Sequence, residues 1–563
     1  MSPDGRSITF VDWKDGRLMI HDVATNMDRA LTAAAPNFSQ GAEWSAISRD
    51  GKQIVYEWNG ENGRAEVRIA ALPGNGFLKP RQFILADAAA FNSFDWSPDG
   101  KWIATAFRRT DGTGQIGVIA VADGSFRSLK SVDRNVLARG ANPTRIFFSL
   151  DGKYLAYDGP PTATSQQRDV FVLAVDGSRD ITAVAHSAND FVMGWSPDGT
   201  RLLFRSDRTG SWGLWAQSFA DGTAQGSPEL LKSDIGLSIS LGVTASGALY
   251  LHKRISTRDI AIAPIDLEAG KLIGPPVGFP QGFVEGASTP TWSPDGKYLT
   301  YPVTCDNGCL AIRSIATGQV RRLAPTISDI GSHVWSPDGR SLLAVGRNGQ
   351  GMFRIDVQSG EATAVIPNDG SLGRIAGWSP DLMKVYFLRS DAVVERDLAS
   401  GSERVVHREA GGVEVAQLSP DGRYILVGSA STFDPSTQTA SFLLVPVAGG
   451  QPRELLAQRE GFGVRPFQWT PDSSAVIITK NPFSRSSQWV WNLGRELWLV
   501  PVTGGGPRKL DIDPGVWMED ATGGGDSGFS VSPDGRSVAF QMGKTGAEVW
   551  ALENFLPAPK AKR

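Results

Sequence analysis

The chain has 563 residues, 41% hydrophobic and 20% charged, and its 56 basic and 59 acidic side chains give a formal net charge of −3. A charge so close to balance lacks the basic surface that nucleic-acid binding requires, so we expect no nucleic-acid partner. No apolar run approaches the roughly 20 residues that span a bilayer, so we expect no direct membrane insertion by this chain.

A Ser-Pro-Asp-Gly tetrapeptide recurs along the whole chain. Complete copies begin at Ser2, Ser97, Ser196, Ser293, Ser336, Ser419 and Ser532, and degenerate copies begin at Ser48, Ser149, Thr244, Ser379 and Thr470. The twelve copies are about 48 residues apart on average, a spacing typical of propeller and solenoid repeats. Pro fixes φ, Asp bonds nearby amides and Gly accepts left-handed φ, so each copy predicts a hairpin corner.

The segments between the corners predict strands. An alternating apolar run surrounds each corner, as in Phe94–Phe107 and Met193–Ser206. A second alternating run follows, as in Ile116–Gly124, Asp169–Gly177 and Glu496–Gly505, and a short outer piece comes after it. Period-two alternation bounded by Gly turns is typical of β-strands, so we expect four strands in each repeat.

The repeats predict an all-β fold of twelve four-stranded blades. Propeller rings usually hold four to eight blades, so twelve repeats favour two consecutive six-bladed β-propellers, with seven plus five blades as the alternative. The repeat pattern is weakest in Ala261–Ser288, where Pro and Gly residues interrupt the alternation of apolar and polar residues. We therefore predict an N-terminal propeller over residues 1–275 and a C-terminal propeller over residues 276–563.

The two ends of the chain predict how the rings close. The first repeat begins at its corner without a preceding strand, and the last repeat ends without an outer strand. Because a closed ring pairs its edges, we expect the linker Lys271–Phe279 to supply the outer strand of the last blade. By the same reasoning, a segment upstream of Met1 would complete the first propeller.

The aromatic-Ser-Pro-Asp-Gly-Lys/Arg corner resembles the WD-like repeats of TolB, and this resemblance covers essentially the whole chain. It is also similar to the propellers of large bacterial two-propeller sensors, whose opening blade resembles Ser2–Thr32 and whose closing strand resembles Glu548–Pro557. The resemblance implies a β-propeller fold and, through TolB, a periplasmic or extracytoplasmic location. It leaves the activity open, because many unrelated functions occur on propellers.

Two patterns could suggest catalysis, and neither supports an enzyme. Gly523–Phe529 is similar to the nucleophile segment of chymotrypsin-like proteases, but Ser527 and His186 stand in a repeat context unlike that two-barrel fold. The repeats also resemble the propeller of prolyl-oligopeptidase-like peptidases, whose hydrolase domain carries a Gly-x-Ser-x-Gly elbow, and the chain has no such pentapeptide. We therefore predict no catalytic residues.

Metal and cofactor sites are not predicted either. Each of the five His residues lacks a second His at ligand spacing. The repeated acids are interpreted as turn acceptors instead of calcium ligands. These structural turn residues are Asp4, Asp99, Asp198, Asp295, Asp338, Asp421 and Asp534.

The two cysteines, Cys305 and Cys309, flank a three-residue loop that contains Gly308. Cross-strand Cβ atoms at such a loop can come within disulfide reach, so a disulfide and two free thiols both stay open. A disulfide would favour an oxidising compartment, in agreement with the periplasmic location that the resemblance implies. Met1 opens directly onto a turn without a secretory signal, so the localisation stays open.

Three long insertions are expected on the face opposite the corners. They are residues 158–169, 429–441 and 480–495. The last one combines residue types enriched at interface hot spots, and these are the candidate binding residues Phe483, Arg485, Trp489, Trp491 and Arg495. In the alternative interpretation, Trp489 and Trp491 begin a strand and pack between blades.

Together these observations predict a non-enzymatic, monomeric double propeller that acts as a binding scaffold or as the sensor module of a larger bacterial system. The expected ligand is a protein, a peptide or a glycan. The alternative is the propeller subunit or domain of a peptidase or hydrolase whose catalytic domain lies outside this chain.

Overall fold

The structure is a computed structural model of the chain. It describes all residues except 13–14, 36–39, 61–64, 73, 86, 112, 133–143, 163–164, 166, 257–258, 279–288, 304–308, 324–326, 328–329, 347–350, 368–371, 390, 410–411, 414, 431–439, 459–461, 483–495, 513–528, 543–544 and 557–563. The described residues form strands and turns, and none of them belongs to a helix that could span a membrane.

The described residues up to Gly278 form 24 strands. They are β1 (Ser7–Asp12), β2 (Arg17–Asp22), β3 (Met27–Ala30), β4 (Gly41–Ile47), β5 (Gln53–Asn59), β6 (Ala65–Ala71), β7 (Arg81–Phe83), β8 (Ala88–Trp96), β9 (Trp102–Arg109), β10 (Gly114–Ala120), β11 (Phe126–Val132), β12 (Ile146–Phe148), β13 (Tyr154–Gly159), β14 (Asp169–Ala174), β15 (Asp180–Val184), β16 (Asp190–Trp195), β17 (Arg201–Ser206), β18 (Gly213–Ala220), β19 (Thr223–Lys232), β20 (Ser238–Val243), β21 (Leu249–Ser256), β22 (Asp259–Asp266), β23 (Lys271–Leu272) and β24 (Val277–Gly278).

The described residues from Thr291 onward form 23 strands. They are β25 (Thr291–Trp292), β26 (Tyr298–Val303), β27 (Cys309–Ser314), β28 (Val320–Leu323), β29 (Ile330–Trp335), β30 (Ser341–Gly346), β31 (Gly351–Asp356), β32 (Ala362–Ile366), β33 (Leu372–Trp378), β34 (Lys384–Arg389), β35 (Ala392–Asp397), β36 (Glu403–Arg408), β37 (Val415–Leu418), β38 (Tyr424–Ala430), β39 (Ala440–Pro446), β40 (Arg453–Gln458), β41 (Phe462–Trp469), β42 (Ala475–Pro482), β43 (Glu496–Pro501), β44 (Arg508–Lys509), β45 (Phe529–Val531), β46 (Ser537–Met542) and β47 (Thr545–Leu552).

These strands form twelve antiparallel sheets in the described part of the chain, and nine of the twelve are four-stranded hairpin series such as β4–β7 and β8–β11. Each sheet carries one of the twelve predicted corners. The fold is therefore all-β and built from propeller blades, as the repeats predict.

Two sheets combine strands from distant parts of the chain. The chain divides into unit 1, which is Met1–Ile255 with the segment from Ala547, and unit 2, which lies between Ser256 and Gly546. In unit 1, β47 pairs with β21 in the sheet β20-β21-β47. In unit 2, β22 pairs with β46, so that β45, β46, β22 and the short β23 and β24 form one sheet.

The units depart from the predicted boundary between residues 275 and 276. Strands β22 to β24 belong to unit 2, and the C-terminal strand returns to unit 1. The reason is that the last sheet of each unit is completed by a strand distant in sequence, which local periodicity does not reveal. The predicted outer strand at Lys271–Phe279 is confirmed as β23 and β24, while Phe279 lies outside the described residues. An upstream strand beside β1 stays a prediction.

Within each unit the sheets contact one another in a cyclic order. First strands pack against first strands, as β4 does against β8 and β16 does against β20, so they lie innermost. In unit 1 the Ala245 amide donates to the Pro3 carbonyl at 2.9 Å and joins the last sheet to the first. In unit 2 the Trp292 indole donates to the Ser530 carbonyl at 2.9 Å and does the same. This cyclic order of sheets supports the prediction of two six-bladed rings, which stays a prediction.

Apolar side chains fill the space between neighbouring sheets. Val55 and Ile69, for example, pack with Phe91, Trp96 and Ile103 of the next sheet. The aromatic residue that precedes a corner also forms a hydrogen bond across this interface, since the Trp96 indole donates to the Ala46 carbonyl at 3.0 Å. The recurring Trp of the motif therefore fixes the innermost strands, and with them the side chains at their ends.

Candidate functional site

The Asp residues of the complete corners have one shared environment. In each, the Ser hydroxyl donates to the Asp carboxylate at 2.5–2.7 Å. The same carboxylate accepts the backbone amide two residues later at 3.0–3.1 Å. These bonds occupy Asp4, Asp99, Asp198, Asp295, Asp338, Asp421 and Asp534 within their own turns. The described residues contain no group of three or more potential metal ligands.

Several predicted site residues lie outside the described part of the chain. These are Phe483, Arg485, Trp489, Trp491 and Arg495 of the binding loop, together with Cys305 and Ser527. The backbone of Cys309 pairs with Val303 at the start of β27. His186 is described, and its amide donates to Asp169 at 3.4 Å while its Nδ1 accepts from the Ala188 amide at 3.0 Å. One contact of His186 is with strand β14 of its own sheet and the other is with a residue two positions away.

A different group of residues forms the candidate site. Six charged side chains gather in the sheets β12–β15 and β16–β19 of unit 1, at the ends opposite the corners. We call them the arginine–aspartate cluster, and its members are Arg145, Asp158, Arg168, Asp190, Arg205 and Arg208.

The pair Asp158 and Arg168 lies at the middle of the cluster. Asp158 is only 1% exposed at the end of β13, and Arg168 contacts its Oδ2 through Nη2 at 2.7 Å and through Nε at 2.9 Å. Arg168 Nη2 also donates to Thr144 Oγ1 at 2.8 Å. Burial raises the pKa of Asp158, while the Arg168 charge opposes that rise. The ion pair, the Thr144 bond and backbone hydrogen bonds to Asp158 together stabilise these buried charges.

A second pair joins the start of β16 to the end of β17. Asp190 is fully buried, and Arg208 Nη2 contacts its two carboxylate oxygens at 2.9 and 3.0 Å. Arg208 Nε donates to Ser206 Oγ at 2.9 Å. Burial raises the pKa of Asp190, against hydrogen bonds from Ser206 and Arg208. This pair is saturated by groups of its own sheet.

The guanidinium groups of Arg205 and Arg145 both lie against aromatic rings. The Arg205 guanidinium carbon lies 4.6 Å from the Phe191 ring centroid and 4.4 Å from that of Trp212. Its Nη1 donates to the Ser238 carbonyl at 2.5 Å. Burial lowers the pKa of Arg205 to about 10. Burial lowers the pKa of Arg145 to about 10 as well, and Asp158 partly offsets that effect.

Sequence reasoning pointed to only part of this cluster. The insertion 158–169, which the sequence predicts, holds Asp158 and Arg168 near its ends. The other members stand at strand ends without a distinguishing motif, because the groups around them, from their own sheet or from a neighbouring one, come together only in the folded chain. A charged residue at an apolar position of a strand, as Arg205 is in Arg201–Ser206, was the available signal.

Comparisons with known proteins agree with the fold. The WD domain, G-beta repeat family model matches residues 81–116. Dipeptidyl-peptidase 5 of Porphyromonas gingivalis is 25% identical over 296 residues, which are 43% of this chain and 43% of that protein. The chain thus matches less than half of the peptidase.

Solved structures with similar folds include one assigned as TolB from Agrobacterium tumefaciens, with 21% identity and a TM-score of 0.42 over 52% of this chain and 99% of that one. The tricorn protease has 11% identity and a TM-score of 0.34 over 91% of this chain and 62% of that one. The blades define this chain as a β-propeller protein, and residues 81–116 match a WD repeat.

Proposed function

We propose that the chain is a non-enzymatic β-propeller scaffold that binds a protein, peptide or glycan ligand, as the sensor or interaction module of a larger bacterial system. The observation that carries this proposal is the arginine–aspartate cluster. Burying one charged side chain costs roughly several kcal/mol of desolvation free energy, and contacts with its partners offset this cost. Perturbed, buried ionisable groups of this kind concentrate at functional sites.

The position of the cluster supports ligand access. The innermost strands β12 and β16 start at this end of their sheets, and the insertion 158–169 leaves from the same end. Loops at one end of a rigid scaffold commonly carry binding residues. A ligand approaching this face of unit 1 would meet Arg145 and Arg208, the two half-buried members, while the buried members behind them hold the surrounding strands in place.

Binding without turnover is the test of this function. The purified full chain is applied to peptide and glycan arrays, and the array products are then analysed by mass spectrometry. We expect saturable binding with every bound molecule recovered intact. Cleavage of array peptides that disappears in Ser527→Ala, and persists in the exposed turn control Ser125→Ala, would establish an enzyme and contradict the proposal.

A second candidate function is the propeller domain of a peptidase or hydrolase whose catalytic domain lies outside this chain. The 25% identity to a dipeptidyl-peptidase over 296 residues favours it. The test is the intact mass of the native protein from its own cell, compared with 60.3 kDa. An attached hydrolase domain would support this candidate, and an attached membrane, kinase or DNA-binding module would support the sensor.

A further inference from the structure

Arg145 reaches the centre of unit 1. It directly precedes β12, the innermost strand of its sheet, and its guanidinium carbon lies 5.2 Å from the ring centroid of Trp44. Trp44 belongs to β4, which is the innermost strand of a sheet two blades away. Because sheet β8–β11 lies between these two sheets in the cyclic order, the two side chains meet where the innermost strands converge.

The positive charge of Arg145 is incompletely matched by the described residues. Its Nε is buried and has no hydrogen-bond acceptor among them. Asp158, the acid whose charge acts on Arg145, already contacts Arg168 at 2.7 Å. A guanidinium has five N–H donors, so Arg145 retains donor capacity for a ligand.

We propose that Arg145 and Trp44 form a binding site for the carboxylate of a peptide ligand. This inference rests on the proposed scaffold function and names its ligand class. The guanidinium fork matches a carboxylate through two parallel hydrogen bonds, and the Trp44 face holds the plane of the fork. Arg145 is half-buried, so a ligand can reach it while solvent screens the contact only partly.

The charge balance around Arg145 favours a carboxylate over a phosphate group. Asp158 and Asp190 lie in the same cluster and are buried with their charges close to neutralised by Arg168 and Arg208. The single charge of Arg145 therefore matches a monoanionic carboxylate, whereas a dianionic phosphate would keep one negative charge without a partner at this site. A peptide supplies a carboxylate from its C-terminus or from an Asp or Glu side chain, and the experiment separates these sources.

The experiment uses three pools of random heptapeptides applied to the immobilised full chain. One pool has free C-termini and no Asp or Glu, one is amidated and contains Asp and Glu, and one is amidated without them. We expect the chain to retain at least one carboxylate-bearing pool about tenfold or more above the third pool, because a hydrogen bond between charged groups contributes affinity of this size. Which of the first two pools is retained identifies the source of the carboxylate.

Two variants give the matched comparison. Arg145→Gln is expected to lose this retention by about tenfold or more. Arg127→Gln is the control, because Arg127 also stacks on an indole, with its guanidinium carbon 5.2 Å from the Trp102 ring centroid, on an outer strand. Circular dichroism establishes that both variants are folded.

Protection of the unmodified chain from phenylglyoxal gives a readout that needs no variant. A retained peptide is expected to slow the arginine-specific modification of Arg145, measured by mass spectrometry, and to leave Arg127 unaffected. Equal retention of all three pools, or equal modification of Arg145 with and without peptide, would overturn this inference and leave the scaffold function standing. Failure of peptides and glycans alike to bind would overturn the scaffold function itself.

Discussion

Aspartate has two opposite environments in this protein. At the corners the carboxylate is exposed and accepts bonds from its own turn, as Asp99 does from Ser97 and Lys101. In the arginine–aspartate cluster the carboxylate is buried and depends on an arginine from a neighbouring segment. Corner Asp residues therefore set backbone geometry, while Asp158 and Asp190 compensate buried positive charge.

Removing the buried carboxylate should destabilise unit 1 strongly. Asp158→Ala leaves Arg168 buried without its ion-pair partner, which costs about 3–5 kcal/mol. Calorimetry of the full chain and amide exchange in β13 and β14 measure the loss. Lys101→Ala is the control, since its exposed ion pair with Asp99 at 3.7 Å contributes about 0–1 kcal/mol. The double variant Asp158→Leu/Arg168→Met should lose less folding stability than Asp158→Ala, because it removes both charges together. An equal or larger loss of stability would contradict this account.

The corner carboxylates predict a dependence of stability on pH. The Ser97 hydroxyl bond lowers the pKa of Asp99 below its usual value. The carboxylate of Asp99 therefore binds a proton more readily in the unfolded chain than in the folded one. Its contribution to folding stability is complete above the unfolded pKa of about 3.9 and is lost as the pH falls through the folded pKa. The difference in thermal midpoint between the wild type and Asp99→Ala should accordingly be full near pH 7 and shrink below about pH 4.

A buried acid provides the control of opposite sign. Burial raises the pKa of Asp169, so its charged form opposes folding and this penalty declines as pH falls through the folded pKa. Asp169→Asn should therefore gain relative stability at high pH and lose that gain in acid. The same slope for Asp99→Ala and Asp169→Asn would show that the two environments do not differ as described.

At the scale of elements, the closing strand of each unit comes from a distant part of the chain. Strand β47 covers β21, and Leu552, Phe555 and Leu556 pack against a cluster that includes Leu249 and Leu251. Strand β22 covers β46 in the same way, with Ala261 fully buried. The last sheet of each unit therefore depends on a strand that is far away in sequence from the strand it pairs with.

A chain that ends at Gly546 should have an open sheet in unit 1. It loses the packing of Leu552, Phe555 and Leu556, which stabilises by up to about 1.5–3 kcal/mol for each side chain. Amide exchange should accelerate in β20 and β21 and stay unchanged in β29–β36. A chain that ends at Leu556 keeps all of these contacts and is the control. Unchanged exchange in β21 after removal of β47 would contradict the pairing.

At the scale of the molecule, the boundaries of the units decide which fragments can fold. Residues 256–546 contain every strand of the six sheets of unit 2. Residues 276–563, the C-terminal domain predicted from the repeats, lack β22 and β23 and carry β47 without its partner. The physical unit is therefore the one that pairs β22 with β46.

The two fragments should behave differently when expressed. Residues 256–546 should unfold in one cooperative thermal transition, because the apolar faces of β46 and β26 remain covered by Ile260 and its neighbours. Residues 276–563 should aggregate or unfold without a sharp transition, because the edge of β46 is open. Calorimetry and analytical size-exclusion chromatography measure both. Equal cooperativity in the two fragments would show that β22 is dispensable.

The amino-acid sequence determined the blades of this protein, because a corner is a local structure. The φ of Pro and Gly and a bond from Ser to Asp two residues away specify it, and Thr470 substitutes for Ser with the same contact to Asp472 at 2.6 Å. Only the tertiary structure decided which strands close each unit and which charges meet. The pairing of β47 with β21 and the approach of Arg145 to Trp44 depend on edges and spaces left after all sheets have packed, and no local pattern encodes them.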